Sequence, residues 1–349
     1  MTPVPVLREK DKIVLYAAVE IYLKVGTPVS SAVLLERNVI AASPATIRNI
    51  MSKLEEAGYL TQPHTSSGRI PTDKGLRFFV NHLLNRSLFS NLKLTPHLDD
   101  FALIKGDFSS LLIQVSELLA EHSDNLGFVL SPRLSRIPFS QIRFLQAPDN
   151  RVMIILTTPS DLVLTEIVPS GYAFTQSELD RAAQDINAHF RGKNLVYVRD
   201  YLLRELPGYK LSYENAINRL INLLRSSICR EEQENRIYLQ GTAHLLEKAD
   251  LFDMDKLKLM FQRFEEKANL AKLLSDFISL DRVKVLIGSE TNIPDISECS
   301  LILSHYGPKN QILGTLGIIG PKRIPYERII PLVEYVAGKL SQALSQEHM

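Results

Sequence analysis

At 349 residues the chain is too long for one ordinary domain, and its 45% hydrophobic and 23% charged residues are those of a folded protein of two or three domains. No apolar run reaches the roughly 18 residues of a membrane helix, so neither a membrane span nor a signal peptide is expected and the setting is cytoplasmic. The net charge of +1 is unevenly spread: residues 1–86 carry 11 Lys/Arg against 7 Asp/Glu, and the remainder 29 against 32.

A modestly basic N-terminal module fits a polyanionic partner, although surface scatter explains the same numbers. Cys229 and Cys299 are the two cysteines, too few for a disulfide scaffold or a zinc site. The eight histidines show no ligand spacing, so no metal or cofactor is expected.

In chain order, the dense apolar residues between Arg8 and Lys24 predict a buried first helix, stopped by Gly26 and Pro28. Ser30 or Ser31 begins a short second helix. Ser43 followed by Pro44 is the favoured cap-then-proline start of a third. Along it, Ile47, Ile50, Met51 and Leu54 form one inward stripe at i, i+3, i+4 and i+7. Ala45, Arg48, Asn49 and Ser52 lie opposite, with Thr46 and Lys53 on the flank. After Gly58, "YLTQP", "HTSSG" and "RIP" predict strand, turn and strand, and Thr72 caps a fourth helix.

This order is that of a winged helix-turn-helix. The third helix would enter a major groove, where Arg can pair with guanine, Asn with adenine, and Ala or Thr can meet a thymine methyl. Thr46 and Lys53 would help fix the helix against phosphates. The wing, with His64, Thr65, Ser66, Ser67, Gly68 and Arg69, would touch backbone or minor groove. A solvated helix face and an ordinary hairpin are the plainer alternatives.

Beyond a polar linker, a helix from Phe108 to Glu121 precedes strand-like segments "GFVLSP", "QIRFLQAPD" and "RVMIILTTPSDLVLTEIVP". Residues 177–277 are largely helical in pattern and offer an oligomer interface, or helices that pack only on their own domain. Then come three strands, "DRVKVLIGSE", "CSLILSHY" and "ILGTLGIIG", and a closing helix from Tyr326. Late strands need partners and the early ones are available, which predicts an α+β sheet domain with a helical insertion. The glycines of "GTLGIIG" are not spaced as a dinucleotide fingerprint, and no P-loop or catalytic constellation is present, so no enzyme is expected. His305 and Tyr306, and the "IGSE" turn, lie near strand ends where they line a cavity or pack ordinarily.

The stretch "SPATIRNIMSKLEEAGYLTQPHTSSGRIPTDKGLRFFV" resembles the signature of the HrcA family of bacterial heat-inducible transcription repressors. "YLQGTAHLLE" and "CSLILSHYGPKNQILGTLGIIGPKRIPYERIIPLVEYVAGKLS" are similar to its middle and end. The resemblance implies a winged helix-turn-helix at 1–75, a linker helix and loop at 76–105, a GAF-like domain at 106–176 and 278–349, and an inserted dimerisation region at 177–277. It implies a homodimer on double-stranded DNA at an inverted-repeat operator of chaperone operons, assisted by the chaperonin GroEL. The family motif carries over at Ser43, Ala45, Thr46, Ile47, Arg48 and Asn49, and at His64, Thr65, Ser67, Gly68 and Arg69. "GSET" departs from the usual G-x-E-N. A metabolite-responsive regulator sensing a small ligand through the GAF-like domain is the alternative.

Overall fold

The computed structural model describes residues 7–64, 67–85, 108–132, 135, 137–159, 163–171, 173–205, 237–248, 283–292, 296–307 and 312–346. Near the N-terminus, α1 (Glu9–Val25), α2 (Ser31–Glu36) and α3 (Pro44–Glu56) meet around Val14, Leu15, Val19, Leu34, Ile47, Met51 and Leu54, all fully buried. Gly26 ends α1 in the left-handed conformation, donating its N–H back to the Tyr22 carbonyl. The side chain of Ser30 caps α2, accepting from the Val33 N–H.

After α3 comes a hairpin of two short strands, β1 (Leu60–Thr61) and β2 (Ile70–Pro71). Val29 extends it by exchanging both backbone bonds with Arg69. The helix α4 (Asp73–Asn85) closes the module, with Phe79 in the core and its ring tilted against that of Tyr16, centroids 4.7 Å apart.

The larger domain is an antiparallel five-stranded sheet in the order β7-β3-β10-β9-β8, with β3 (Leu126–Leu130), β7 (Ile237–Gln240), β8 (Val283–Ile287), β9 (Cys299–Tyr306) and β10 (Gly314–Pro321). Helices α5 (Phe108–Ser123) and α9 (Tyr326–Gln346) lie on the face that carries Val129, Ile302, Leu316 and Ile318. The α5 backbone comes so close to β3 that a Cβ on Gly127 would overlap Ser116 O, so only glycine fits there. Leu126, Phe128, Leu301, Leu303 and Ile319 form a second apolar layer on the opposite face, joined by Leu245 of α8 (Thr242–Glu247).

A separate three-stranded sheet contains β4 (Gln141–Ala147), β5 (Arg151–Thr157) and β6 (Val163–Pro169) in that order. On it packs α6 (Gln176–Phe190), followed by α7 (Leu195–Glu205). Asn187 of α6 binds both the N–H and the carbonyl of Ile142 at 2.8 Å, and Gln176 reaches Phe144 and Gln146. These side chains occupy the open edge of β4, which would otherwise invite another strand.

Two expectations change here. The strands between Gln141 and Pro169 do not pair with the late strands; among the early segments only β3 does. Their burial explains why: β4, β5 and β6 bury alternate residues and so have one core face, whereas β3 is buried throughout and β9 and β10 nearly so. The stretch 177–277 also contributes a strand, since β7 pairs with β3. Its segments "RLINLLRSSI" and "DKLKLMFQRFEEKANLAKLLSDF" lie outside the described residues.

His305 and Tyr306 settle into packing roles. His305 Nδ1 bonds Thr315 Oγ1 at 3.1 Å, and the buried Tyr306 hydroxyl donates to the Leu130 carbonyl at 2.6 Å.

Phe79→Ala empties a fully buried ring site shared by α1 and α4. It is expected to cost about 3–5 kcal/mol, read as a lowered denaturant midpoint.

Candidate nucleic-acid interface

The helix α3 starts where local chemistry dictates. Ser43 is extended, its Oγ accepts the Thr46 N–H at 3.2 Å, and Pro44 occupies the first turn, where a missing N–H costs nothing. Ser43 Oγ and Thr46 Oγ1 also share a hydrogen bond of 2.9 Å.

With Ile47, Ile50, Met51 and Leu54 buried, the helix can only present its other side, and Ala45, Thr46, Arg48, Asn49 and Lys53 are all exposed there. Among the described residues no partner engages the side chains of Arg48, Asn49 or Lys53. One exposed helix face thus collects a guanidinium, an amide, an ammonium, a hydroxyl and a methyl.

The β1–β2 hairpin is held to α3 from inside. Arg69, expected at the wing's outer contact, points back: Nε donates to Glu55 Oε2 at 2.8 Å and an Nη donates to Ser52 Oγ at 3.2 Å. Its side chain is only 17% exposed. Gly68 lies against the Val29 backbone, where a Cβ would stand 2.5 Å from the carbonyl carbon. Ser67 closes the turn, donating to the His64 carbonyl and accepting the His64 N–H. His64 is exposed beside it. Thr65 and Ser66 lie outside the described residues. The structure therefore brings Ser43, Ala45, Thr46, Arg48, Asn49 and Lys53 onto one helix, with His64, Ser67, Gly68 and Arg69 in the adjoining turn.

The far end of α3 is fastened to α4. Lys74 Nζ donates to the Ala57 carbonyl at 2.8 Å, placing a cation at the helix C-terminus, and Thr72 Oγ1 donates to the Gly58 carbonyl at 2.7 Å. From its other side α4 grips the five-stranded sheet. Arg77 pairs with Glu290, Nε to Oε1 at 2.7 Å, and donates to the Val285 carbonyl at 2.6 Å. Asp73 Oδ2 accepts the Ser289 N–H and hydroxyl, both at 3.0 Å, and its Oδ1 lies 3.1 Å from Lys322 Nζ. Lys322 also reaches Glu298 at 3.2 Å.

Asp73 and Arg77, at i and i+4 on one helix, look like an ordinary surface ion pair in the sequence. In the fold each takes a partner more than 200 residues away. Sequence reasoning missed both, and the "GSET" turn is their counterpart.

Residues 109–330 match the family described as "HrcA protein C terminal domain". The heat-inducible transcription repressor HrcA of Geobacter sulfurreducens is 33% identical over 98% of this chain and 99% of its own length. The chain belongs to the HrcA family. Another HrcA relative, from Xylella fastidiosa, is 33% identical over 99% of this chain and 98% of its own. A crystal structure described as a hypothetical protein covers 97% of this chain and 99% of its own with a TM-score of 0.61 at 24% identity, which shows a shared fold.

Two outcomes test this geometry. Ser43→Ala, by removing the α3 cap, should cost about 1 kcal/mol in denaturant titrations. The second concerns acid. Burial raises the Asp73 carboxyl, but the Ser289 N–H and Lys322 outweigh it and hold the group below its ordinary range. A depressed folded-state pKa means that the stabilisation is present above the ordinary carboxylate range and lost as pH falls through the lowered value. Asp73→Asn should therefore flatten the acid limb of the stability profile between those limits. An unchanged limb would show that Asp73 contributes nothing to it.

Proposed function

We propose that this protein is a heat-inducible transcription repressor that binds an inverted-repeat operator of chaperone operons as a homodimer. The observation that carries the reading is the α3 face: Arg48 and Asn49 sit side by side, exposed and without partners among the described residues, on a capped helix of a helix-turn-helix. Such a face matches base edges in a major groove. Lys53 and Thr46 flank it for phosphates, with Ser43 and Ala45 at the entering end. His64, Thr65, Ser66, Ser67 and Gly68 form the wing that touches the DNA backbone or minor groove. Arg69 acts from behind, tying that wing to α3 through Glu55 and Ser52.

The names of the relatives support repression and heat response. The family resemblance supports assistance by GroEL, which would couple repressor activity to chaperonin demand. The dimerisation unit, in this reading, is the insertion that starts with β4–β6 and α6, earlier than residue 177. The GAF-like domain is then the five-stranded sheet with α5, α8 and α9.

Anisotropy titrations test the reading, with one duplex carrying the inverted repeat upstream of the source organism's chaperonin operon and the other a scramble of equal composition. Binding tighter on the repeat by roughly 10³ or more is expected. Equal and steeply salt-sensitive binding to both, with chaperonin present as well as absent, would reduce the module to a non-specific polycation. Arg48→Ala should lose about 1–3 kcal/mol and relax preference at one operator position. Full affinity and preference in that variant would remove Arg48 from base reading.

A further inference from the structure

The "GSET" turn (Gly288–Thr291) follows β8 as a single 3₁₀ turn. Nothing in the proposed function uses it, yet it gathers several of the polar contacts between the winged helix and the sheet. Glu290 folds back to accept the Ile287 N–H at 2.9 Å, which fixes its carboxylate, and the same carboxylate takes the Arg77 guanidinium. Gly288 has φ +53°, and a Cβ there would push the Asp73 carboxylate out of place, so glycine suits the position on both counts. Lys322, at the end of β10, fills the remaining side of Asp73. Nearby, the Tyr16 hydroxyl of α1 donates to Glu327 of α9 at 3.1 Å.

These bonds are partly shielded: Asp73, Arg77, Glu290 and Lys322 side chains are 25–31% exposed. Planar two-point pairing of Arg with carboxylate also restricts angle as well as distance. Such a contact defines an orientation.

We infer that Asp73 and Arg77 are positioning residues for operator binding, setting the direction of α3 relative to the sheet domain through the Gly288–Thr291 turn. The inference rests on the proposed DNA-binding function. In a two-fold dimer the two α3 helices must meet half-sites at one spacing. Once the first half-site is bound, the second helix is presented at an effective concentration that falls as its range of positions widens. Rigid attachment through α4 keeps that range narrow. Loosening it should leave each winged helix able to read a half-site while the pair loses its advantage on the whole repeat.

The test compares the full-length wild type with Arg77→Glu and with Arg77→Glu/Glu290→Arg, which restores opposite charges. Each is titrated on a single half-site duplex and on the full inverted repeat. Arg77→Glu is expected to bind the half-site within twofold of wild type and the full repeat about tenfold or more weakly, and the double variant to recover most of the difference. Equal loss on both duplexes, or wild-type binding to both, overturns the inference. Wild-type protein that fails to distinguish the repeat from a scramble counts against the proposed function instead. Calorimetry without DNA then decides the positioning role by itself. The winged helix and sheet domain should unfold in one transition in the wild type and in two in Arg77→Glu, with one transition regained in the double variant. A single transition in all three overturns the coupling.

Discussion

The helix α4 is bonded on both sides, and the geometry of the N-terminal module depends on that. Thr72 and Lys74 hold the C-terminal end of α3, while Asp73 and Arg77, on the same turn and the next, hold the sheet domain. The groups alternate along the helix so that neighbouring residues serve opposite neighbours. Beneath them Leu76, Phe79 and Val80 bury the apolar side, so the helix cannot rotate to favour one set of bonds without exposing its core. The sheet edge at β8 and the end of α3 are thereby joined through one helix.

Within the module the same economy of contacts recurs. Glu55 lies on α3, close to the face proposed to meet DNA, where a bare carboxylate would repel phosphate. Its pairing with Arg69 cancels that charge and, in the same contact, holds the wing. Ser52 completes the site from one turn earlier. The cations left exposed on the helix, Arg48 and Lys53, then stand without an anionic neighbour in hydrogen-bond reach among the described residues. Sign and shape of the face are settled together.

Much of this was legible in the residues. The Ser43–Pro44 start, the i, i+3, i+4, i+7 stripe and Gly58 defined α3, and its exposed side followed by elimination. β9 and β10 were legible too, as strands built mainly of Leu, Ile and glycine. The difference between those and the alternating pattern of "QIRFLQA" was also present, and it separates the two sheets; grouping all strands by availability of partners overrode it. What could not be read was any pairing between distant side chains. Asp73 and Arg77 are four apart on a helix, and periodicity cannot distinguish a pair that bonds to itself from one that bonds to Ser289 and Glu290. Arg69 presents the same difficulty: a wing arginine reads as a ligand for phosphate until Glu55 is seen beside it.

The strand order carries a consequence for how the chain matures. In the central sheet Leu126 stands opposite Ile319 on one side, and Gly127 opposite Gln240 on the other. As the polypeptide leaves the ribosome, α1 to α4 are complete long before β8 and β10 exist, whereas β3 must wait for almost the entire remaining chain. Until then β3 has β7 along one edge but lacks β10 along the other, and α4 has no acceptor for Arg77. Segments late in the chain therefore both close the sheet and dock the N-terminal module, so α4 can dock only after β8 and β10 have been made.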